Sequence, residues 1–114
     1  TLLNTEDEFY KNYQIVENKF VENTTIGVII TNAKFNKTQL CKIASMTQNG
    51  YARSIRPVHT TADGDSIYAM SVGEVLADQD MVGTLSAQVM SEAILRAVMS
   101  AESAYGFIST KDLV

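Results

Sequence analysis

The sequence has one cysteine (Cys41), one proline (Pro57), one histidine (His59) and no tryptophan in 114 residues. A single cysteine rules out a disulfide scaffold, and one Cys with one His is too few for a zinc site, so no metal is expected. A lone, reduced thiol fits a cytoplasmic protein. No stretch of ~18 residues is free of polar side chains, so no membrane span is expected, and no basic-then-apolar signal segment opens the chain. Thr1 is not preceded by Met, and the chain is expected to continue a longer polypeptide. What is abundant is ordinary core material. Hydrophobic residues make up 46% and charged residues 19%, which excludes a disordered chain and fits one domain or a piece of one.

Acids are missing altogether between residues 24 and 57, where Lys34, Lys37, Lys42, Arg53 and Arg56 stand alone. The flanking stretches are acidic and bring the formal net charge to −4. A basic middle of this length, with little aromatic interleaving and acidic neighbours to fold against, does not point to nucleic acid.

Thr5 to Glu8 has the pattern of a capping box, followed by Phe9, Tyr13, Val16 and Phe20 along one helical face, the spacing of a core stripe. Residues 24–33 are β-branched and almost continuously apolar, the pattern of a strand buried on both faces. Asn36 with Gln39 three positions on predicts a second helix, its apolar face on Leu40, Ile43, Ala44 and Met46 or Thr47, with a stop at Asn49-Gly50. Residues 56–65 have neither period. Residues 66–72 resume as a strand, an acidic connection runs from Glu74 to Asp80, and a long helix capped by Asp80 should end near Tyr105-Gly106. Thr84, Gln88, Glu92 and Arg96 line its polar side, opposite a wide apolar side of Val82, Leu85, Val89, Ala93, Ile94, Ala97, Val98 and Ala101. Two strands cannot cover two helices this apolar, so the sheet is expected to be completed by other residues.

Three features carry chemistry. Thr24, at the mouth of the first strand, would be a nucleophile if the Asn23–Thr24 bond were cut. Its own α-amine, with a pKa near ~8, could then take the hydroxyl proton. β-Propensity alone also places Thr-Thr at a strand start. Asp63-Gly64-Asp65 brings two carboxylates to one loop, either as an acid–base pair or as a solvated turn. Arg53 and Arg56 could fork onto a substrate carboxylate and His59 could be an acid or base, or all three make structural hydrogen bonds.

Together, ENTTIGVIITNA (22–33) and YARSIRPVHTTADGDSIYAMSVGE (51–74) resemble the C-terminal portion of the L-aminopeptidase/D-esterase and β-peptidyl aminopeptidase family, related in fold to ornithine acetyltransferase. The resemblance implies an α/β layered sandwich with helices outside paired β-sheets. It implies a precursor that cuts itself into a large α and a small β subunit. Residues 1–23 would end the α segment and 24–114 form the β segment. Asn23–Thr24 matches the self-cleavage bond, Thr24 the catalytic nucleophile, and Asp63 and Asp65 the pair completing the catalytic group. Better-known members carry Ser at the position of Asp63. Arg53 and His59 are candidate substrate-binding residues. The expected substrates are short peptides, amides or esters, and the expected partners are the α portion of the same precursor and further copies, with no cofactor. The alternatives are a non-catalytic interaction module and an amine acetyltransferase.

Overall fold

The computed structural model describes residues 3–12 and 23–113. Tyr13, Val16 and Phe20 of the first apolar stripe lie outside them. Helix α1 (Thr5–Lys11) is capped by Asn4, whose side chain accepts from Asp7 N–H at 3.2 Å, rather than by Thr5. Phe9, expected in the core, is exposed.

Strands β1 (Ile26–Ala33) and β2 (Ser66–Val75) run parallel and side by side, joined by α2 (Lys37–Ser54). A parallel pair needs such a crossover, since no tight turn can reverse the chain twice. The register sets Ile26 beside Ser66 and runs to Thr31 beside Ser71, with an irregularity before Ala33 pairs with Val75. Ser71 bridges the irregular stretch, donating to Ala33 C=O at 2.5 Å and accepting from Phe35 N–H at 3.3 Å. β2 therefore runs through Gly73 and Glu74, past the expected end at Val72.

The expected capping box of α2 is present. Asn36 and Gln39 exchange side-chain-to-backbone hydrogen bonds, both 2.9 Å. The expected stop at Asn49-Gly50 is not, and α2 continues unbroken to Ser54. Gly50 is where α2 meets α3 (Gln79–Ser100), and a Cβ there would stand 2.5 Å from the Ala87 carbonyl oxygen. Glycine serves here for backbone approach, not for termination. Ser54 and Ser91 hydrogen-bond 2.6 Å apart one turn further on. α3 is capped by Asp78, which accepts from Met81 N–H at 2.9 Å, two residues before the expected cap, and it ends at Ser100. Tyr105 and Gly106, both with positive φ, form a turn beyond it.

The buried face of α3 is Val82, Gly83, Ser86, Ala87 and Met90, mostly small residues. Leu85, Val89 and Val98, expected in the core, are exposed. The polar side is as expected, with Arg96 and Glu92 paired at 2.7 Å.

Both long helices lie on one face of the sheet. Ile29, Tyr51 and Met90 form one core cluster, and Ala33, Phe35, Ile43 and Val82 another. Complete burial of Ile43 or Tyr51 stabilises by roughly 1.5–3 kcal/mol each. Among the described residues the strands are not buried on both faces. Ile29 is 8% exposed, but its neighbour Ile30 on the opposite face is 63% exposed, with Val28, Tyr68, Met70 and Val72 also bare. Side chains alternate along a strand, and the described residues supply one helical layer to cover them. The mixed α/β class is as expected. Among the described residues no helix is long and apolar enough to cross a membrane.

Gly50→Ala should destabilise the protein by about 1–3 kcal/mol through overpacking against α3, outweighing the ~1 kcal/mol that alanine gains in helix propensity. Urea denaturation of both forms checks this; a more stable variant would mean the two helices are not in contact at Gly50.

Candidate active site

The strand pairing does not stop where β1 begins. Asn23 bridges Asp63 in the same parallel sense. Gly64 N–H donates to Asn23 C=O, and Ser66 N–H to Thr25 C=O, each at 3.0 Å. Thr24 is thereby fixed opposite Gly64, and a Cβ on residue 64 would come within 3.1 Å of Thr24 Oγ1. The glycine between the two acids leaves room for the threonine hydroxyl.

The Asp65 side chain is 3% exposed. A buried carboxylate must be hydrogen-bonded, and its partners are backbone amides. Oδ1 accepts from Thr25 N–H at 2.9 Å, while Oδ2 faces His59 N–H at 3.4 Å and His59 Nδ1 at 4.0 Å. Asp65 thus grips the residue next to Thr24.

Asp63 is held separately. Its Oδ2 accepts from Thr60 N–H and Thr60 Oγ1–H, both at 2.8 Å, and its own N–H donates to Thr60 C=O. The Thr60 hydroxyl, then the Thr60 N–H, hold the Asp63 carboxyl below its ordinary range, so it is ionised at neutral pH.

Beneath both strands lies Tyr51. Its hydroxyl donates to Ser66 C=O at 3.0 Å and lies 3.4 Å from Thr25 C=O. Burial, and then the Asp65 charge, push its pKa up, so it stays a neutral donor. Gly27 makes room for that hydroxyl, since a Cβ there would come within 2.7 Å of it.

Thr24, Asp63 and Asp65 line one cavity of about 470 Å³, together with Thr25, Arg56 and, from α1, Phe9. A more open hollow of about 510 Å³ along α2 contains none of the three. His59 is a neighbour of Asp65 rather than part of the cavity lining. It has a left-handed φ of 58°, and its Nε2 meets Gln48 Oε1. Arg53 is exposed on the last turn of α2 and does not line the cavity, whereas Arg56 does. Thr60, Tyr51 and Gly64 complete the arrangement around the three. The Thr-x-x-Asp spacing of Thr60 and Asp63 is a local turn signal that could have revealed the first. Among the described residues no three His, Cys, Asp or Glu side chains converge to hold a metal.

This geometry sits in a recognisable relative. The profile of Peptidase family S58 matches residues 3–111, and the chain belongs to that family. It is 36% identical to an uncharacterized aminopeptidase of Mycobacterium leprae over an alignment of 99 residues, covering 74% of this chain and 27% of that protein. It is 31% identical to an uncharacterized aminopeptidase of Mycobacterium bovis, covering 80% of this chain and 31% of that protein. A 6-aminohexanoate-oligomer endohydrolase of Kocuria sp. is 28% identical over 66% of this chain and 25% of its own length. The chain therefore spans between a quarter and a third of these relatives. No solved structure matches it.

Asp63 has a folded-state pKa below its unfolded value, so it stabilises the fold above that unfolded value and the contribution is lost as pH falls through the folded one. Thr60→Val removes the hydroxyl donor and keeps the N–H. The Asp63 carboxyl should then titrate at higher pH, read by carboxyl carbon NMR, and an unchanged titration would detach Asp63 from Thr60.

Proposed function

We propose that these residues are the nucleophile-bearing portion of an amide-bond hydrolase that first cuts its own Asn23–Thr24 bond. The observation that carries the reading is the placement of Thr24. It lies two residues before β1, opposite a glycine, and shares a cavity with Asp63 and Asp65 in a member of Peptidase family S58. The printed names of the relatives, aminopeptidases and an oligomer endohydrolase, support amide hydrolysis as the reaction class.

Once the bond is cut, Thr24 carries a free α-amine beside its hydroxyl. The amine takes the hydroxyl proton as Oγ1 attacks a substrate carbonyl. The released amine fragment leaves with a proton, and water then hydrolyses the acyl-threonine ester. β-Branching restricts χ1 of Thr24, so the oxygen is aimed before substrate arrives. Asp65, anchored one residue along on Thr25 N–H, holds and tunes the ammonium, with Asp63 as its ionised neighbour. The substrates are N-terminal residues of short peptides, amides or esters. The cavity has the size of a small-molecule site, and Arg56 gives it a cationic wall. The α portion of the same precursor is the partner that covers the bare face of the sheet, and copies of the processed enzyme associate further.

Thr24→Ala should leave the polypeptide uncut and without hydrolase activity, while Thr24→Ser retains both reactions. In protein already cut, Asp65→Asn should lower kcat/KM by ~10²–10⁴, the worth of a positioned acid–base group. The acid limb of its pH profile should also move to lower pH, because a nearby anion raises the amine's pKa and its loss frees the base sooner. Turnover by Thr24→Ala, measured on a short amide substrate, would remove threonine from the mechanism.

A further inference from the structure

The carbonyl attacked during self-cleavage is that of Asn23, and its oxygen accepts a hydrogen bond from Gly64 N–H at 3.0 Å. We infer that this Gly64 amide is the oxyanion donor for cutting the Asn23–Thr24 bond, an inference that rests on Thr24 being the nucleophile. Three observations converge on it. The donor is aimed at the one oxygen in the chain on which charge would develop. The amide is held by pairing on both sides, with Asn23 bridged to Asp63 and Ser66 N–H bonded to Thr25 C=O, so it need not reorganise as charge appears. Residue 64 also faces the attacking atom, and a Cβ there would stand 3.1 Å from Thr24 Oγ1, so that the hydroxyl would have to give way by a few tenths of an ångström. Glycine supplies the N–H while leaving the hydroxyl its space.

The step balances without a further reagent except water. Thr24 Oγ1 bonds to the Asn23 carbonyl carbon, and the electron pair of the C=O bond moves to the oxygen facing Gly64 N–H. Collapse of this intermediate breaks the C–N bond, and the hydroxyl proton passes to the Thr24 nitrogen. An ester remains between Asn23 and Thr24 Oγ1. Water hydrolyses it to the Asn23 carboxylate and a free Thr24.

The test replaces Gly64 in the full-length precursor by glycolate, which substitutes an ester oxygen for this one N–H. The matched control puts the corresponding hydroxy acid at Ser66. That change deletes a hydrogen bond of equal length, to Thr25 C=O, one rung away from the scissile carbonyl. Self-cleavage, followed by gel after refolding, should slow about 10²-fold for the ester at 64 and only a few-fold for the ester at 66. Cutting at the normal rate with the ester at 64, or equal slowing by both, would reduce Gly64 to an ordinary rung and overturn the inference. Cutting by Thr24→Ala would instead overturn the nucleophile assignment. A measurement independent of these esters is amide exchange in the uncut Thr24→Ala precursor. The Gly64 amide should be protected as Ser66 is, and rapid exchange at Gly64 alone in the folded protein would also sink the proposal.

Discussion

The parallel register between β1 and β2 is the constraint on which the site depends. It offsets the strands by forty positions, and that offset persists beyond the start of both, from Ile26 beside Ser66 back to Asn23 beside Asp63. Gly64 is therefore opposite Thr24, and Asp65 falls where it can accept from Thr25 N–H. A slip of one residue would turn each side chain to the other face. It would set a carboxylate against the threonine hydroxyl and a glycine against the Thr25 amide. The register is locked from below by Tyr51, which reaches the carbonyls of both strands with one hydroxyl, and at the far end by Ser71 in the irregular stretch.

The helical layer exists to hold that pair of strands. α2 crosses over them and delivers Tyr51 and Ile43, while α3 presses on α2 through residues too small to keep them apart, Gly50 and Ser54 against Ala87 and Ser91. Close backbone approach brings two helices and a sheet into contact with few large side chains between them. The larger apolar residues consequently face outward, on α3 as well as on the far side of the sheet. Both strands thus carry an apolar face that no other described residue covers.

What could be read in the sequence was what local chemistry dictates. The β-branched run gave β1, Asn36 with Gln39 gave the start of α2, and residues 56–65 fell outside regular structure as expected. The misreadings have a common origin. Gly50 looks the same in sequence whether it ends a helix or lets a second helix approach, and only α3 decides between them. Leu85 and Val89 rank as core by hydropathy, but packing against α2 selects Gly83, Ser86 and Ala87. The caps moved by one or two positions because Thr5 and Asp80 have acceptor neighbours, Asn4 and Asp78, equally able to cap. Thr24, Asp63 and Asp65 stand out in the sequence by type and order, and the three line one cavity. Their separate anchorage does not show in the sequence, because Asp65 bonds a backbone amide forty residues away while Asp63 bonds Thr60 three residues away. His59 and Arg53 have chemistry suited to a substrate, but the backbone turns His59 toward Asp65 and Gln48 and leaves Arg53 in solvent on α2.

The claim that joins these parts is that Thr24 becomes a chain terminus. Intact-mass spectrometry of the purified full-length protein, followed by N-terminal sequencing, tests it most directly. The account predicts two associated polypeptides, the smaller beginning Thr-Thr-Ile-Gly-Val with a free α-amine. A single polypeptide with the Asn23–Thr24 bond intact, in protein that is folded and hydrolyses amides, would contradict it.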